Sequence, residues 1–398
     1  MTSQASMDTP VILSACRTPI GKFGKSLVGV SAPSLGALVI EEALKRAGIS
    51  ADEVDEVIMG NVVSAGLGQN PTRQAAIRAG IPFRTGSITV NKVCGSGLKA
   101  VMLAASTIKA GDNSVVVAGG MESMSNTPYL ARGVRWGTKF GDARLQDSMI
   151  LDGLWDAYHN YHMGLTGEHI AQKFRITRRE ADEFSYESHM KAAKAAKAGV
   201  FEAEKVKVKI EHEGGAVTEF SEDECIRADT TVEKLGKLKP AFRPDGVLTA
   251  GNSSQLSDGA SAVVVTSEGV ADRLGAKPIA RIVAYGTGGL EPARVMEAPI
   301  PTARALLKKA KMTVDDVDLF EHNEAYSTAS LAVRRSLEVD ESRFNVSGGA
   351  VALGHPIGCS GARVLTTLIY GLKRTGGKTG FATLCLGGGN AVAMIVQA

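Results

Sequence analysis

Leu44-Lys45-Arg46-Ala47, followed by Asp52-Glu53-Val54-Asp55, is answered near the other end of the chain by Leu307-Lys308-Lys309-Ala310 and Asp315-Asp316-Val317-Asp318, at one constant offset. Ser96-Gly97 and Ser360-Gly361-Ala362-Arg363 repeat at nearly the same offset. Each copy reads as a helix, an acidic turn, a short strand, and a glycine-rich turn opening an apolar helix. A second β-type run follows each helix, Ser114-Val115-Val116-Val117 in one copy and Gly380-Phe381-Ala382-Thr383-Leu384 in the other. Strands alternating with helices predict α/β layers. Repetition at one long offset predicts two similar halves, not a short-period solenoid. The helices expected at 97–110 and 361–373 are apolar on most faces, which places them between layers.

The stretch between the copies differs. From about Ser125 to Ala250 it carries more charge and less strand alternation, and reads as an insertion into the first half. Thr177-Arg178-Arg179-Glu180 is a capping box, and the helix it opens runs through Met190 to Gly199. Lys191, Lys194 and Lys197 on it read as a solvated face. The 398 residues exceed one ordinary core. With 44% apolar and 22% charged residues the composition is globular, and a net charge of +3 argues against a nucleic-acid partner.

Five cysteines, with no C-x-x-C pair, argue against a disulfide framework or zinc and for a reducing compartment. His159, His162 and His169 lack companions for a metal site. No apolar run reaches membrane-spanning length. The polar start, Met1 to Pro10, predicts neither a secretory nor a transit peptide, and the last residues are not a peroxisomal signal. Cytoplasmic location is expected.

Chemistry concentrates at four places. Cys94 closes the β-type run Ser87-Ile88-Thr89-Val90-Asn91-Lys92-Val93 and opens a helix. That placement predicts a thiolate favoured by the helix dipole, with backbone N–H groups free to receive an oxyanion. His355 stands in the loop Gly354-His355-Pro356-Ile357-Gly358 and can act as base to a cysteine. Cys385 precedes Leu386-Gly387-Gly388-Gly389, where the backbone is expected to approach a substrate closely. Glu321-His322-Asn323-Glu324-Ala325-Tyr326 follows a short strand; Asn323 is a candidate to hold a water or carbonyl, and Glu324 to brace an imidazole.

Together, Asn91-Lys92-Val93-Cys94-Gly95-Ser96-Gly97, Gly119-Gly120-Met121-Glu122-Ser123-Met124-Ser125, Asn323-Glu324-Ala325, Gly354-His355-Pro356-Ile357-Gly358 and Cys385-Leu386-Gly387-Gly388-Gly389 resemble the signature motifs of the thiolase family, in order and over nearly the whole chain. The resemblance implies two βαβαβαββ halves in α-β-α-β-α layers with an inserted loop domain. The first half would be 1–124 plus 251–277, the coenzyme A-binding loop domain 125–250, and the second half 278–398.

It also implies an acetyl-CoA C-acetyltransferase that condenses two acetyl-CoA into acetoacetyl-CoA and CoA through acetyl-Cys94. A broader-chain 3-ketoacyl-CoA thiolase is the alternative. A decarboxylating relative would carry a second catalytic histidine in place of Asn323 or Cys385, and His322 is out of register for that. His355 would activate Cys94 and Cys385 would deprotonate the second acetyl group. The N–H groups of Cys94 and Gly387 would hold one oxyanion, and His355 with a water on Asn323 the other. Leu154, His162, Met163, Arg227, Phe242, Ala250, Ser254 and Met296 resemble coenzyme-contact positions, with Met163 limiting the acyl group, and Lys234, where the family often has a serine, would add a charge contact to a phosphate. Tyr326 replaces a more usual phenylalanine. No tightly bound cofactor or metal is implied, and a homodimer or homotetramer is.

Overall fold

The computed structural model describes residues 9–212 and 214–398; the polar start at 1–8 lies outside them. In chain order the elements that position the site begin with β1 (Pro10–Arg17), α1 (Ala32–Ala47), β2 (Glu56–Gly60), β3 (Gly86–Val90), α2 (Ser96–Ala110) and β4 (Val115–Ser123). The middle of the chain supplies α3 (Gly164–Lys173) and α4 (Arg178–Lys197). Then come β5 (Ser257–Ser267), β6 (Ala280–Gly289), α5 (Pro299–Ala310), β7 (Leu319–His322), α6 (Ser327–Leu337), α7 (Ser360–Thr375), β8 (Thr379–Leu386) and β9 (Asn390–Gln397).

The strands form one mixed sheet in the order β7-β8-β9-β6-β1-β5-β4-β2-β3. Outward from the central join, β1-β5-β4-β2 matches β6-β9-β8-β7, so the repeat in sequence is a repeat in topology. The join is narrow: β1 meets β6 only at Val11↔Arg281 and Ile12↔Ala280. The repeated aspartates have a local reason. The Asp55 carboxylate accepts from the N–H groups of Ser114 and Val115, at the start of β4. Asp318 does the same for Lys378 and Thr379, at the start of β8.

Strand alternation sorts side chains into layers. Val116 and Ala118 of β4, Val263 and Val265 of β5, and Val392, Met394 and Val396 of β9 join α2 and α7 in one core. Their neighbours Val115, Val117, Ala262 and Val264 pack on α1. Ala393 and Ile395 pack on α5 and α6. The two apolar helices therefore lie between the sheet halves, as their composition predicts, giving the α-β-α-β-α arrangement. The repeated Ser-Gly pairs lie where they cross. A Cβ on Gly97 would sit 2.8 Å from the Ala362 nitrogen, and one on Gly361 would strike the Leu98 backbone. Only glycine lets these helix starts approach so closely.

The capping box of α4 forms as expected, with Thr177 and Glu180 bonded reciprocally. Lys194 and Lys197 are exposed, whereas Lys191 is half-buried beside Glu341. No described helix is long and apolar enough to cross a membrane. Among the described residues no group of three or more His, Cys, Asp or Glu side chains is placed to hold a metal ion.

Candidate active site

Cys94, Asn323, Cys385 and Gly387 come from the C-terminal ends of strands in both halves, the edge where α/β sheets present their ligands. β3 stops at Val90, earlier than its sequence suggests, and the chain turns sharply before α2. Val93 takes φ of +47°, a conformation that costs a β-branched residue roughly 1–3 kcal/mol. Hydrogen bonds offset that strain. The Val93 N–H donates to Asn91 Oδ1 at 3.0 Å, the Lys92 N–H to Ser96 Oγ at 2.8 Å, and Ser96 Oγ to the Val93 carbonyl at 2.6 Å. The turn holds Cys94 against the reactive cavity.

That cavity is lined by Cys94, His355, Cys385 and Gly387 within walls that include Val93, Leu154, Met163, Val295, Met296 and Ile357. It continues into a larger groove of about 350 Å3 lined in part by Leu154, His162, Phe242, Ala250 and Ser254. Leu154, Ser254, Tyr326, His355 and Ile357 line both spaces and form the neck between them.

Burial governs the electrostatics. It pushes the Cys94 thiol up to about 12, against the pull of the N–H groups of Gly387 and of Cys94 itself. This corrects the expectation of a resting thiolate: desolvation outweighs the helix terminus here. The Cys385 thiol is raised too, by burial and then by Cys94, and it donates to Met296 Sδ at 3.6 Å. His355 is lowered to about 3, first by burial and then by the buried Arg363 guanidinium, and is a neutral imidazole.

Its tautomer follows from its partners. Ser360 Oγ donates to the Pro356 carbonyl at 2.9 Å and lies 2.6 Å from His355 Nδ1. With the hydroxyl hydrogen spent on that carbonyl, Nδ1 carries the imidazole proton and Nε2 is the free base. Asn323 Nδ2 lies 3.4 Å from Nε2.

Glu122 sets the loop after His355. One of its oxygens accepts from the N–H groups of Val62 and Gly358, the other from Asn61 Nδ2 and the Val63 N–H. Neither Glu122 nor Ser360 carries a role in the motif reading. The signal for Ser360 was its place in the repeat, where Ser96 braces Cys94 in the first half.

Other sequence expectations fare differently. Glu324 braces no imidazole: it accepts from Ser188 Oγ, Asn345 Nδ2 and the Val351 N–H, tying α4 to the segment before His355. His322 points away from the cavity to Ser330 Oγ at 2.9 Å. Arg227 and Lys234 do not line the groove. Arg227 reaches it through Gln255, at 2.8 Å, and Lys234 is held by Asp229. Cys359 is buried packing.

Residues 10–269 match the family model for the thiolase N-terminal domain, and residues 276–398 the one for the thiolase C-terminal domain. The chain is 50% identical to the acetyl-CoA acetyltransferase of Cupriavidus necator over 391 residues, 98% of this chain and all of that one. It is also 50% identical to that of Pseudomonas aeruginosa over 388 residues, 98% of this chain and 99% of the other. A crystal structure of the Bacillus anthracis acetyl-CoA acetyltransferase superposes with a TM-score of 0.97 at 42% identity, covering 99% of both chains.

Proposed function

The chain belongs to the thiolase family, and from that premise we propose that it is an acetyl-CoA C-acetyltransferase working through acetyl-Cys94. The observation that carries this reading is the shared cavity in which two thiols and one neutral imidazole meet. His355 Nε2 takes the Cys94 proton as the sulfur attacks the thioester carbon of acetyl-CoA. The oxyanion forms against the N–H groups of Cys94 and Gly387, the two that already act on the sulfur. CoA leaves as a thiolate and takes the Cys385 proton, because a thiol cannot serve as base until it has lost its own. The Cys385 thiolate then removes a methyl proton from a second acetyl-CoA. The electron pair moves to the thioester oxygen, beside the Nε2–H of His355 and Asn323. The enolate carbon attacks acetyl-Cys94, acetoacetyl-CoA forms, and the Cys94 sulfur recovers its proton from His355.

A resting site that disfavours every charge keeps the sulfurs neutral until substrate excludes water. The apolar groove would take the pantetheine arm along Leu154, His162, Ala250 and Ser254, with Phe242 toward the adenine. Arg227 and Lys234 lie outside its lining and would meet phosphates only at the rim. Met163 and Met296 narrow the inner end, which favours a short acyl group over the longer chains of a broad 3-ketoacyl-CoA thiolase. Residues 125–250 are read as the coenzyme-binding segment between halves 1–124 plus 251–277 and 278–398.

No tightly bound cofactor enters this scheme, and a cytoplasmic location suits its free thiols. A homodimer or homotetramer is supported by exposed Phe83 and Ile88 around the edge strand β3, and by exposed Tyr129, Trp136 and Phe140. The test is product analysis with a chain-length series. Acetyl-CoA alone should yield acetoacetyl-CoA and CoA, and thiolysis should fall as the 3-ketoacyl chain lengthens. A preference for medium or long chains over acetoacetyl-CoA would sink the short-chain reading.

A further inference from the structure

Tyr326 is 7% exposed, and its hydroxyl, which no side chain or backbone group hydrogen-bonds, keeps contact with the open space the residue lines. Its ring is fixed on two sides. It meets Phe242 edge-on at 5.9 Å, and Phe242 in turn stacks on His162. It also lies over Gly167, where a Cβ would come within 3.0 Å of it. A ring held this way has a set hydroxyl position, free to donate to a ligand or water in the space it lines. The residue lines the neck, alongside His355. Both reactive sulfurs, Cys94 and Cys385, act electrostatically on the phenol, and together with burial they raise it, so it remains a proton donor at any working pH.

With its pantetheine in the groove and its methyl toward Cys385, the second thioester brings its carbonyl to His355 at the neck. Donors for the two oxygens differ. The acyl-enzyme oxygen meets two backbone N–H groups, whereas the enolate oxygen meets the imidazole N–H of His355 and the amide of Asn323, which lies 3.4 Å from Nε2. A phenol at the neck beside His355 is a third donor for that oxygen.

We propose that Tyr326 is a catalytic residue whose hydroxyl donates a hydrogen bond to the thioester oxygen of the second acetyl-CoA as it becomes an enolate. No proton is transferred: Cys385 takes the methyl proton, the electron pair moves to oxygen, and the phenol shares its hydrogen with that oxygen. The idea rests on the proposed two-step reaction and adds a donor to its second step only.

Tyr326→Phe deletes the oxygen and keeps the ring. Two rates separate the outcomes: acetylation of Cys94 by acetyl-CoA in a single turnover, followed by mass spectrometry, and steady-state condensation. The expected result is unchanged acetylation, with condensation kcat reduced about 10- to 100-fold, somewhat less than the loss of a main oxyanion donor. Condensation within twofold of the parent, or an equal fall in both rates, would overturn the proposal. Failure of the parent protein to acetylate Cys94 would instead remove the two-step reading beneath it.

Discussion

Replacing Ser360 with alanine tests how the imidazole is prepared. Its hydroxyl lies 2.6 Å from His355 Nδ1 and is itself anchored on the Pro356 carbonyl. Both residues are buried. Removing the acceptor leaves an Nδ1–H with no partner, a cost of about 1–3 kcal/mol for a buried donor. The ring can escape that cost by moving its proton to Nε2, but Nε2–H cannot accept the Cys94 proton. Either way the base-competent form loses about 1–3 kcal/mol, which slows acetylation roughly 5- to 150-fold. Binding of acetyl-CoA should change little, because Ser360 lines neither the groove nor the cavity. Quenched single-turnover acetylation with mass detection gives the rate, and 15N NMR of His355 gives the tautomer. An acetylation rate within twofold of the parent, or a parent imidazole protonated at Nε2, would refute the reasoning.

Three further outcomes follow from the same structure. His355 is lowered to about 3, below the ordinary histidine value of about 6.5, so the base stays neutral as acid is added. The 15N NMR signals of the His355 ring should stay those of a neutral imidazole from pH 7 down to about pH 5, and a titration of that ring centred near 6.5 would contradict this. Glu122→Gln turns an amide NH2 toward backbone N–H donors now satisfied by carboxylate oxygens. It should cost about 1–3 kcal/mol in denaturant unfolding and reduce activity by shifting the His355 loop. Gly361→Ala drives a methyl into the Leu98 backbone and should cost about 3 kcal/mol; a neutral result would mean the central helices are not packed as described.

Sequence alone was informative where local pattern and tertiary place coincide. Asp55 and Asp318 repeat because each caps the start of a strand. Gly97 and Gly361 repeat because their helices cross. The apolar faces of 97–110 and 361–373 announced a middle layer. The pattern failed where particular side-chain contacts and burial decide the outcome. Asn91-Lys92-Val93 continues the β pattern in composition, but Val93 turns to positive φ, held by Ser96 and Asn91. The helix terminus predicted a favoured thiolate at Cys94, and burial reversed it. Glu324 sits among polar neighbours in sequence and finds its partners on α4 and at Asn345. Ser360 gained its role only when His355, five positions earlier, folded back onto it.

The most direct measurement is the mass of the protein after exposure to acetyl-CoA, with the modified peptide identified, in the parent and in Cys385→Ala. The account predicts a single acetyl group on the sulfur of residue 94 in both, with carbon–carbon bond formation lost only in the variant. An acetyl group residing on residue 385 instead, or a variant that still makes acetoacetyl-CoA at the parent rate, would contradict it.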